Sequence, residues 1–240
     1  MIVSIMQPAY LPWLGYFDRL QRSDLHIVLD SVPLGTANRN NFTTRNRVRR
    51  AGPANEGTWL TVPVAGGQHD TIIRDVMLAN QPGWARKHAE TLRHSYARAP
   101  FASDVADIAR VIQEHAEANA SGNGALASLL DVTTERLCEK LDIRTPMVLS
   151  SSLPVTGTKS ALILSLCVHV GATTYVSGPF GRDYLDLVAF TKAGVQVEFH
   201  DYAHPTYTQQ GEPFVPYLSV VDLIANHGAA SRDILTMVTR

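Results

Sequence analysis

The first thirty residues alternate between apolar runs and a helical segment, and this alternation limits the fold more than any other feature of the sequence. Residues 2–6 form a short apolar run that predicts a buried strand, and the segment from about Trp13 to Gln21 predicts a helix. A second apolar run, Leu25 to Leu29, ends at Asp30. A strand, a helix and a strand in so short a segment form a βαβ unit, whose two strands lie parallel in one sheet.

The second half of the chain repeats this rhythm. The pattern predicts two helices, one from Thr156 or Thr158 to Val170 and one at 183–191, followed by strands at 174–176 and 195–199. Further strands are predicted at 59–64 and 147–150, and the polar stretch 35–56 is predicted to be a long loop excursion. We therefore expect one α/β domain over residues 1–240, with a doubly wound, mostly parallel, Rossmann-like sheet.

The stretch from 81 to 140 interrupts the α/β alternation with a mostly helical pattern. Trp84, His88, Leu92 and Tyr96 recur four residues apart, which places them on one helical face. Pro100 and the turn at 122–124 divide the stretch into three predicted helices. We interpret it as a helical insertion in the α/β domain.

Composition narrows the class of protein. Basic and acidic residues nearly balance, at 21 and 22, so there is no general attraction to nucleic acid or to an anionic membrane. The two cysteines, Cys138 and Cys167, lie in apolar helical patterns, so we expect a reducing compartment. The N-terminus lacks the basic region of a signal peptide, and the longest apolar run is too short to span a bilayer. These features favour a soluble cytoplasmic protein whose oligomeric state the sequence leaves open.

Ligands of open parallel sheets bind beyond the carboxyl ends of the strands, and four loops are predicted to lie there. In the first, two prolines stiffen the chain and leave Gln7, Tyr10 and Trp13 as candidate binding residues, unless the aromatic rings only cap the core. The second begins at Asp30 and leads into a cluster of asparagines and arginines, whose guanidinium groups suit phosphate or carboxylate. The alternative is a solvated loop. This cluster consists of Asn38, Arg39, Asn40, Arg45, Asn46 and Arg47.

The other two loops each precede a predicted helix and contain glycine. Lys159 follows a Thr-Gly-Thr segment, where backbone N–H groups and the helix dipole favour an anion, although an ordinary helix cap explains the same residues. Ser177, Gly178 and Arg182 belong to a strand–glycine loop–helix segment, the recurrent geometry of phosphate sites. Both loops predict a substrate with an anionic group.

One cysteine is a candidate nucleophile. Cys167 lies on the helix that follows Lys159, and either His200 or His204 could activate its thiol. The alternative is that Cys167 is a small core residue. The two histidines flank Asp201 and predict either an acid–base pair or a surface turn. No cysteine–histidine spacing indicates a metal site.

Several of these segments resemble the WbqC-like protein family. The opening motif Met-Gln-Pro-Ala-Tyr-Leu-Pro-Trp-Leu-Gly-Tyr-Phe at 6–17 is the most distinctive. One departure is that 42–47 reads Phe-Thr-Thr-Arg-Asn-Arg where the resemblance leads us to expect an aromatic residue followed by Gln-Asn-Arg-Asn. The other matching segments are Arg45–Arg47, Trp59–Val64, Gly171–Tyr184 and a tail comprising His204, Pro205, Tyr207, Gln209, Phe214, Leu218, Ser219, Asp222, Leu223 and Asn226.

The resemblance implies a biosynthetic step, because similar proteins are encoded in O-antigen, polysaccharide and natural-product gene clusters. The candidate thiol of Cys167, the nearby histidines and the anion-binding loops lead to our first hypothesis, a transferase that moves an acyl or aminoacyl group from a carrier-protein thioester to an amine, with Cys167 taking the acyl group in between. We expect no resident cofactor, and the expected partner is a small-molecule or carrier-tethered substrate, including one bound to phosphopantetheine.

Two other hypotheses stay open. The opening βαβ unit looks like that of nucleotidylyltransferases, so the protein could bind a nucleotide or nucleotide sugar. However, Trp13-Leu14-Gly15-Tyr16 stands where those enzymes have His-x-Gly-His. The third hypothesis is a non-catalytic binding subunit of a biosynthetic complex, since stiff aromatic loops and exposed arginines also suit such a subunit.

Overall fold

The protein is built around a five-stranded parallel sheet. The computed structural model describes residues 1–35, 42–50, 57–67, 70–119 and 124–237. The strands lie in the order β5-β2-β1-β6-β7, and every neighbouring pair runs parallel. The predicted α/β class with a mostly parallel sheet is therefore confirmed. The strands of this sheet are β1 Ile2–Met6, β2 Leu25–Val28, β5 Met147–Leu149, β6 Thr174–Ser177 and β7 Gln196–Phe199.

The strand order creates a topological switch point. The chain moves outward from β1 through β2 to β5, then crosses to the other side of β1 for β6 and β7. At such a point the connections leave in opposite directions, so a crevice opens beyond the carboxyl ends of the two central strands. Here these strands are β1 and β6, so this rule places the ligand crevice between the loops that follow Met6 and Ser177.

Helices cover both faces of the sheet, because side chains alternate along each strand. Val3 and Ile5 of β1 face a core shared with helices α5 and α6, whereas Met6 faces the larger core on the other side. That larger core contains the first helix, the predicted helical insertion and a C-terminal helix pair. The helices are α1 Leu14–Gln21, α2 Trp84–Ser95, α3 Ala102–Ala118, α4 Leu126–Lys140, α5 Lys159–His169, α6 Leu187–Lys192, α7 Val220–His227 and α8 Ser231–Thr236.

A two-stranded antiparallel hairpin stands apart from the main sheet. It consists of β3 (Arg45–Val48) and β4 (Thr58–Thr61), with Arg45 opposite Thr61. The predicted excursion at 35–56 contains a strand, β3, that the sequence analysis did not assign, because the segment has little apolar alternation and is organised by pairing with β4. The predicted strand at 59–64 is confirmed only as the short β4. Asn38, Arg39 and Asn40 lie outside the described residues.

The segment after β6 differs from its prediction. Residues Pro179–Asp183 form a 3₁₀-helix, and α6 begins only at Leu187, later than the predicted helix at 183. The reason is the cap: the Asp186 side chain accepts a hydrogen bond from the N–H of Ala189, which fixes the helix start.

The helices of the protein are short relative to the thickness of a bilayer. In the ranges that the structure describes, none is long and apolar enough to cross a membrane.

Candidate functional site

A buried aspartate–histidine pair lies at the crevice. His200 directly follows β7, and its backbone N–H donates to the carbonyl of Ser177 at 2.8 Å, which ties it to the end of β6. Nε2 of its ring lies 2.6 Å from Oδ2 of Asp18 on α1. Both side chains are buried. Because a carboxylate only accepts hydrogen bonds, Nε2 is the ring nitrogen that donates to Asp18.

The Asp18 carboxylate is oriented by a second contact. Nε of Arg22, one helical turn further along α1, donates to the same Oδ2 at 2.8 Å. The Tyr202 ring stacks on the His200 ring, with centroids 5.6 Å apart. The imidazole is thus held in one orientation by a carboxylate, a backbone bond and an aromatic ring. Among the described residues Nδ1 has no hydrogen-bond partner, so this arrangement can accept a proton at a defined atom.

The next residue of α1, Arg19, extends its guanidinium to the loop after β6. The site of a Cβ on Gly178 lies 3.0 Å from Nη2 and 3.2 Å from Nη1 of Arg19, so the guanidinium packs directly on the glycine backbone. Only 9% of Arg19 is exposed. Burial lowers the pKa of Arg19 below its ordinary value. The Asp18–His200 pair and the Arg19 guanidinium therefore share the carboxyl ends of β6 and β7.

A cavity of about 340 Å³ lies between the segment after β2, at Leu29 and Val32, and the first turns of α5. Its walls are apolar except for Lys159 at the start of α5 and Tyr184 after the 3₁₀-helix. The Thr158 side chain makes no capping hydrogen bond, so the first N–H groups of α5 are not satisfied by that residue. This cavity places a cationic side chain and a helix N-terminus beside apolar surface.

A second, smaller cavity of about 150 Å³ opens between α4 and the β2–β5 edge. Asp131, Glu135 and Tyr16 are among its lining residues. Burial, followed by the nearby charges of Glu135 and Asp30, raises the pKa of Asp131 to about 6. This cavity is lined by carboxyl groups, whereas the carboxyl end of β6 has the positive charge of Arg19 beside it.

The comparisons with known proteins agree with the sequence motifs. A family model described as the WbqC-like protein family matches residues 7–234. The chain belongs to the WbqC-like protein family. It is also 30% identical, over 237 residues, to the uncharacterized protein Rv1507c of Mycobacterium tuberculosis, covering 97% of this chain and 96% of that protein. No solved structure matched the chain.

Cys167 is not positioned as a nucleophile in this WbqC-like protein. The residue has no exposed surface and packs in the core with Leu166, Tyr175 and Phe190. Burial raises the pKa of its thiol to about 12, so the reactive thiolate is suppressed. The expectation of a histidine-activated thiol is corrected accordingly: Cys167 is a small core residue.

His204 is also not free to move protons. Its Nε2 accepts a hydrogen bond from the N–H of Tyr217 at 3.1 Å, and its Nδ1 donates to the carbonyl of Pro205 at 2.8 Å. Burial lowers its pKa. Tyr207, Phe214 and Tyr217 surround the ring. Of the two histidines predicted, only His200 has the geometry of a base, and the structure assigns His204 to the packing of the C-terminal segment.

Two charged candidates already have partners inside the protein. Asp30 is 1% exposed and accepts hydrogen bonds from Ser150 Oγ and from the N–H and Oγ of Ser151, so it links the ends of β2 and β5. Arg182 forms a double ion pair with Asp201, at 2.8 and 2.6 Å. In the structure each of these two charges is paired with other residues of the protein.

The first loop contributes one exposed candidate. Gln7 is exposed at the end of β1, as expected for a binding residue. Tyr10 is fully buried, and its hydroxyl lies 3.0 Å from Nδ1 of His88, so it anchors the insertion instead of lining a pocket. Trp13 is half-buried and packs against Phe42. The aromatic rings of this loop thus follow the alternative prediction, in which they cap the core.

The described part of the asparagine–arginine cluster contains both a buried residue, Asn46, and a surface residue, Arg45. Asn46 is buried, donates to the carbonyl of Leu11 at 2.7 Å and accepts from the N–H of Arg47, so it braces the first loop. The Arg45 guanidinium lies 4.3 Å from the centre of the partly exposed Trp59 ring. Arg45 remains on the surface, as part of a cationic and aromatic face of the hairpin.

The glycine loop after β6 combines a structural and a binding position. Ser177 is 1% exposed, and its hydroxyl donates to the carbonyl of Gly178 at 3.1 Å. A Cβ at Gly181 would overlap that hydroxyl, so glycine is required there for the 3₁₀-helix to close over Ser177. Ser177 therefore supports the loop, whereas Gly178 contacts the guanidinium of Arg19.

Asp18 and Arg19 were missed by the sequence reasoning. In the structure, seven of the eight residues of α1 are buried, from Leu14 to Leu20. A central helix that is covered all round has no solvated face for its charged residues, so adjacent charges in it indicate a buried polar site. The sequence alone did not reveal that α1 is enclosed.

Proposed function

We propose that this protein is a transferase that moves an acyl or aminoacyl group from a carrier-type thioester directly to an amine, without a covalent enzyme intermediate. The observation that supports this proposal is the Asp18–His200 pair, which holds an imidazole in a fixed orientation at the carboxyl ends of β6 and β7. The position matches the crevice in which ligands of this sheet type bind. Membership of the WbqC-like family is compatible with a biosynthetic role.

In the proposed step, the amine attacks the thioester carbonyl while Nδ1 of His200 takes up its proton. The C–N bond forms, the C–S bond breaks, and the proton passes from His200 to the departing thiolate. Asp18 accepts from Nε2–H throughout and stabilises the imidazolium while it exists. The thiol of Cys167 takes no part, because it lies in the core.

Nucleotide binding is the second candidate function, and the strand order favours it. Counting only the strands of the main sheet, the order is 3-2-1-4-5, which is the arrangement of a dinucleotide-binding sheet. The start of α1 is covered, however: a Cβ on Gly15 would lie 2.9 Å from the Tyr202 ring and 3.0 Å from Trp13 Nε1. A nucleotide would therefore bind over β1 and β6, not at the start of α1.

The test uses acyl and aminoacyl thioesters of pantetheine 4′-phosphate with a panel of amines, and it detects the amide by mass spectrometry. We expect wild-type protein to form amide and release an equal amount of thiol. Replacing His200 by Asn is expected to lower the rate about 10²- to 10⁴-fold, the usual contribution of a general base. Cys167→Ala should retain the wild-type rate, which makes it the matched control.

Two outcomes would contradict the proposal. If His200→Asn transfers the acyl group at the wild-type rate, His200 is not the general base. If the wild-type protein forms a mass adduct that Cys167→Ala does not form, the transfer is covalent through Cys167 and not direct. If no amide forms while ATP or a nucleotide sugar raises the melting temperature, nucleotide binding becomes the better description.

A further inference from the structure

Arg19 is a buried cation without a counter-charge in the described part of the chain. Its Nε is enclosed and has no hydrogen-bond partner there, and none of the ion pairs of the described residues includes its guanidinium. The neighbouring carboxylate of Asp18 is engaged by His200 and Arg22. An uncompensated buried ion normally costs a protein several kcal/mol, on the order of the desolvation penalty that remains after relaxation. A bound ligand with the opposite charge would offset this cost, which makes an unpaired buried cation a candidate ligand-binding group.

The surroundings of Arg19 locate this group at the carboxyl end of β6. The side chain starts on α1, on one face of the sheet. Burial raises the pKa of Tyr175 in β6 and of Tyr184 in the loop after it, and the nearby Arg19 charge opposes part of that rise. It also packs on Gly178, the first residue after β6. The guanidinium therefore lies beside the end of β6, at the switch point where β6 adjoins β1.

The chemistry of a guanidinium defines the ligand. Its planar fork of N–H donors matches the paired oxygens of phosphate or carboxylate, whereas a lysine ammonium offers only a point charge. The absence of a side chain at Gly178 lets the planar group lie flat against the backbone. Lys159 adds a second positive charge, in the lining of the cavity at the start of α5.

We infer that Arg19, lying on Gly178, binds a phosphate group of the ligand in the switch-point crevice. Identifying that ligand as the thioester donor rests on the proposed function, but the binding of phosphate does not. A phosphate of this kind occurs in pantetheine 4′-phosphate and in a nucleotide, and the two sources differ in the rest of the molecule. Arg19 is thus a binding residue next to the Asp18–His200 pair.

The experiment measures binding by calorimetry, with no dependence on turnover. The probes are inorganic pyrophosphate, pantetheine 4′-phosphate beside pantetheine, and AMP beside adenosine. We expect at least one phosphorylated compound to bind about 10- to 100-fold more tightly than its phosphate-free partner, which is the range for a charge-assisted pair. The member of the set that binds identifies the source of the phosphate.

Variants separate a binding role from a structural one. Arg19→Met is expected to abolish the preference for the phosphorylated compound while leaving the ligand-free melting temperature equal to or above that of the wild type, because an unpaired buried charge has been removed. Arg19→Lys keeps the charge without the fork and should show an intermediate preference. The matched control is Arg182→Met, whose guanidinium already has Asp201 as a partner and should leave phosphate binding unchanged.

The results that would overturn the inference are distinct from those that test the transfer reaction. Equal binding of the phosphorylated and phosphate-free compounds by wild-type protein rejects the anion site, and that measurement needs no variant to fold. A preference that survives in Arg19→Met rejects it as well. Phosphate binding through Arg19 in a protein that transfers no acyl group would keep the anion site and reject the proposed function.

Discussion

Both cysteine thiols of the chain are enclosed by apolar side chains. Cys138 is 7% exposed and Cys167 is not exposed, and burial raises the pKa of each thiol to about 12. We expect neither thiol to react with a disulfide reagent in the native protein at neutral pH, and both to react at once in denaturant. A colorimetric thiol assay with and without guanidinium chloride measures this, and rapid native labelling of Cys167 would contradict its place in the core.

His26 is a buried neutral histidine under α1. Its Nδ1 lies 2.9 Å from Ser4 Oγ and its Nε2 lies 3.3 Å from the Tyr16 hydroxyl. Burial, followed by the charge of Arg19, lowers its pKa to about 3. In the unfolded chain a histidine titrates near 6.5. The contribution of neutral His26 to stability is therefore complete above about pH 6.5 and is lost progressively as the pH falls towards 3.

The pH dependence can be measured by urea unfolding at pH 7 and pH 5. Wild-type protein is expected to be less stable at pH 5, and His26→Gln should reduce the difference between the two values while lowering stability at both. The exposed His169, changed to Gln, is the control and should leave the difference as it is. An unchanged difference in His26→Gln would assign the acid sensitivity to other groups.

At the scale of residues, the sequence predicted positions better than roles. His200 and Gln7 were placed correctly at strand ends, because strand ends follow from apolar runs. The sequence did not distinguish Asp30 from a ligand-binding carboxylate. In the structure, the Asp30 carboxylate accepts hydrogen bonds from Ser150 and Ser151, which lie 120 and 121 positions further along the chain. It also missed Asp18, whose partner His200 lies 182 positions along the chain. Hydrogen-bond partners across such separations depend on topology, which local patterns do not encode.

The β3–β4 hairpin acts as a brace for the first ligand-side loop. Asn46 in β3 uses both ends of its amide, donating to the carbonyl of Leu11 and accepting from the N–H of Arg47. Leu11 has a positive φ of 46°, which is strained for a residue with a side chain. The buried amide therefore holds the loop in a conformation that it would not keep alone.

Replacing Asn46 by Ala is expected to lower the free energy of unfolding by about 1–3 kcal/mol, because the buried carbonyl of Leu11 loses its donor. Asn46→Asp keeps the shape and the acceptor but not the donor, and it should cost at least as much since two oxygens then face each other. Chemical denaturation measures both. Wild-type stability in Asn46→Asp would show that the donor to Leu11 is unimportant.

At the scale of elements, prediction succeeded where the hydrophobic period was strong. The strands of the first βαβ unit follow from short apolar runs and the helices of the insertion from a helical pattern, and their boundaries are reproduced within a few residues. β3 has the sequence Arg-Asn-Arg-Val, which carries one apolar residue, so its pairing with β4 had no local signal. The delayed start of α6 depends on a single cap by Asp186, which a pattern search did not rank above nearby positions.

At the scale of the whole molecule, the helical insertion and the sheet share one core. Ile108 and Ile112 of α3 belong to the same buried cluster as Met6 of β1 and Phe17 of α1. Helix α1, which carries Asp18 and Arg19, is therefore packed between the sheet and the helices of the insertion and the C-terminus. The candidate site depends on this packing, because α1 alone, at eight residues, is too short to be stable in water.

This shared core predicts a single cooperative unfolding transition. Ile112 is fully buried, and Ile112→Ala is expected to lower the free energy of unfolding by about 2–5 kcal/mol, the usual cost of a large truncation in a core. The loss should move the whole transition, so that helical circular dichroism and tryptophan fluorescence change at the same denaturant concentration. Val188→Ala, at a site that is 64% exposed, is the control and should leave the midpoint unchanged. If Ile112→Ala instead splits the transition, so that helical signal is lost while the sheet and the Asp18–His200 pair persist, the insertion is a separate folding unit and the site does not need it.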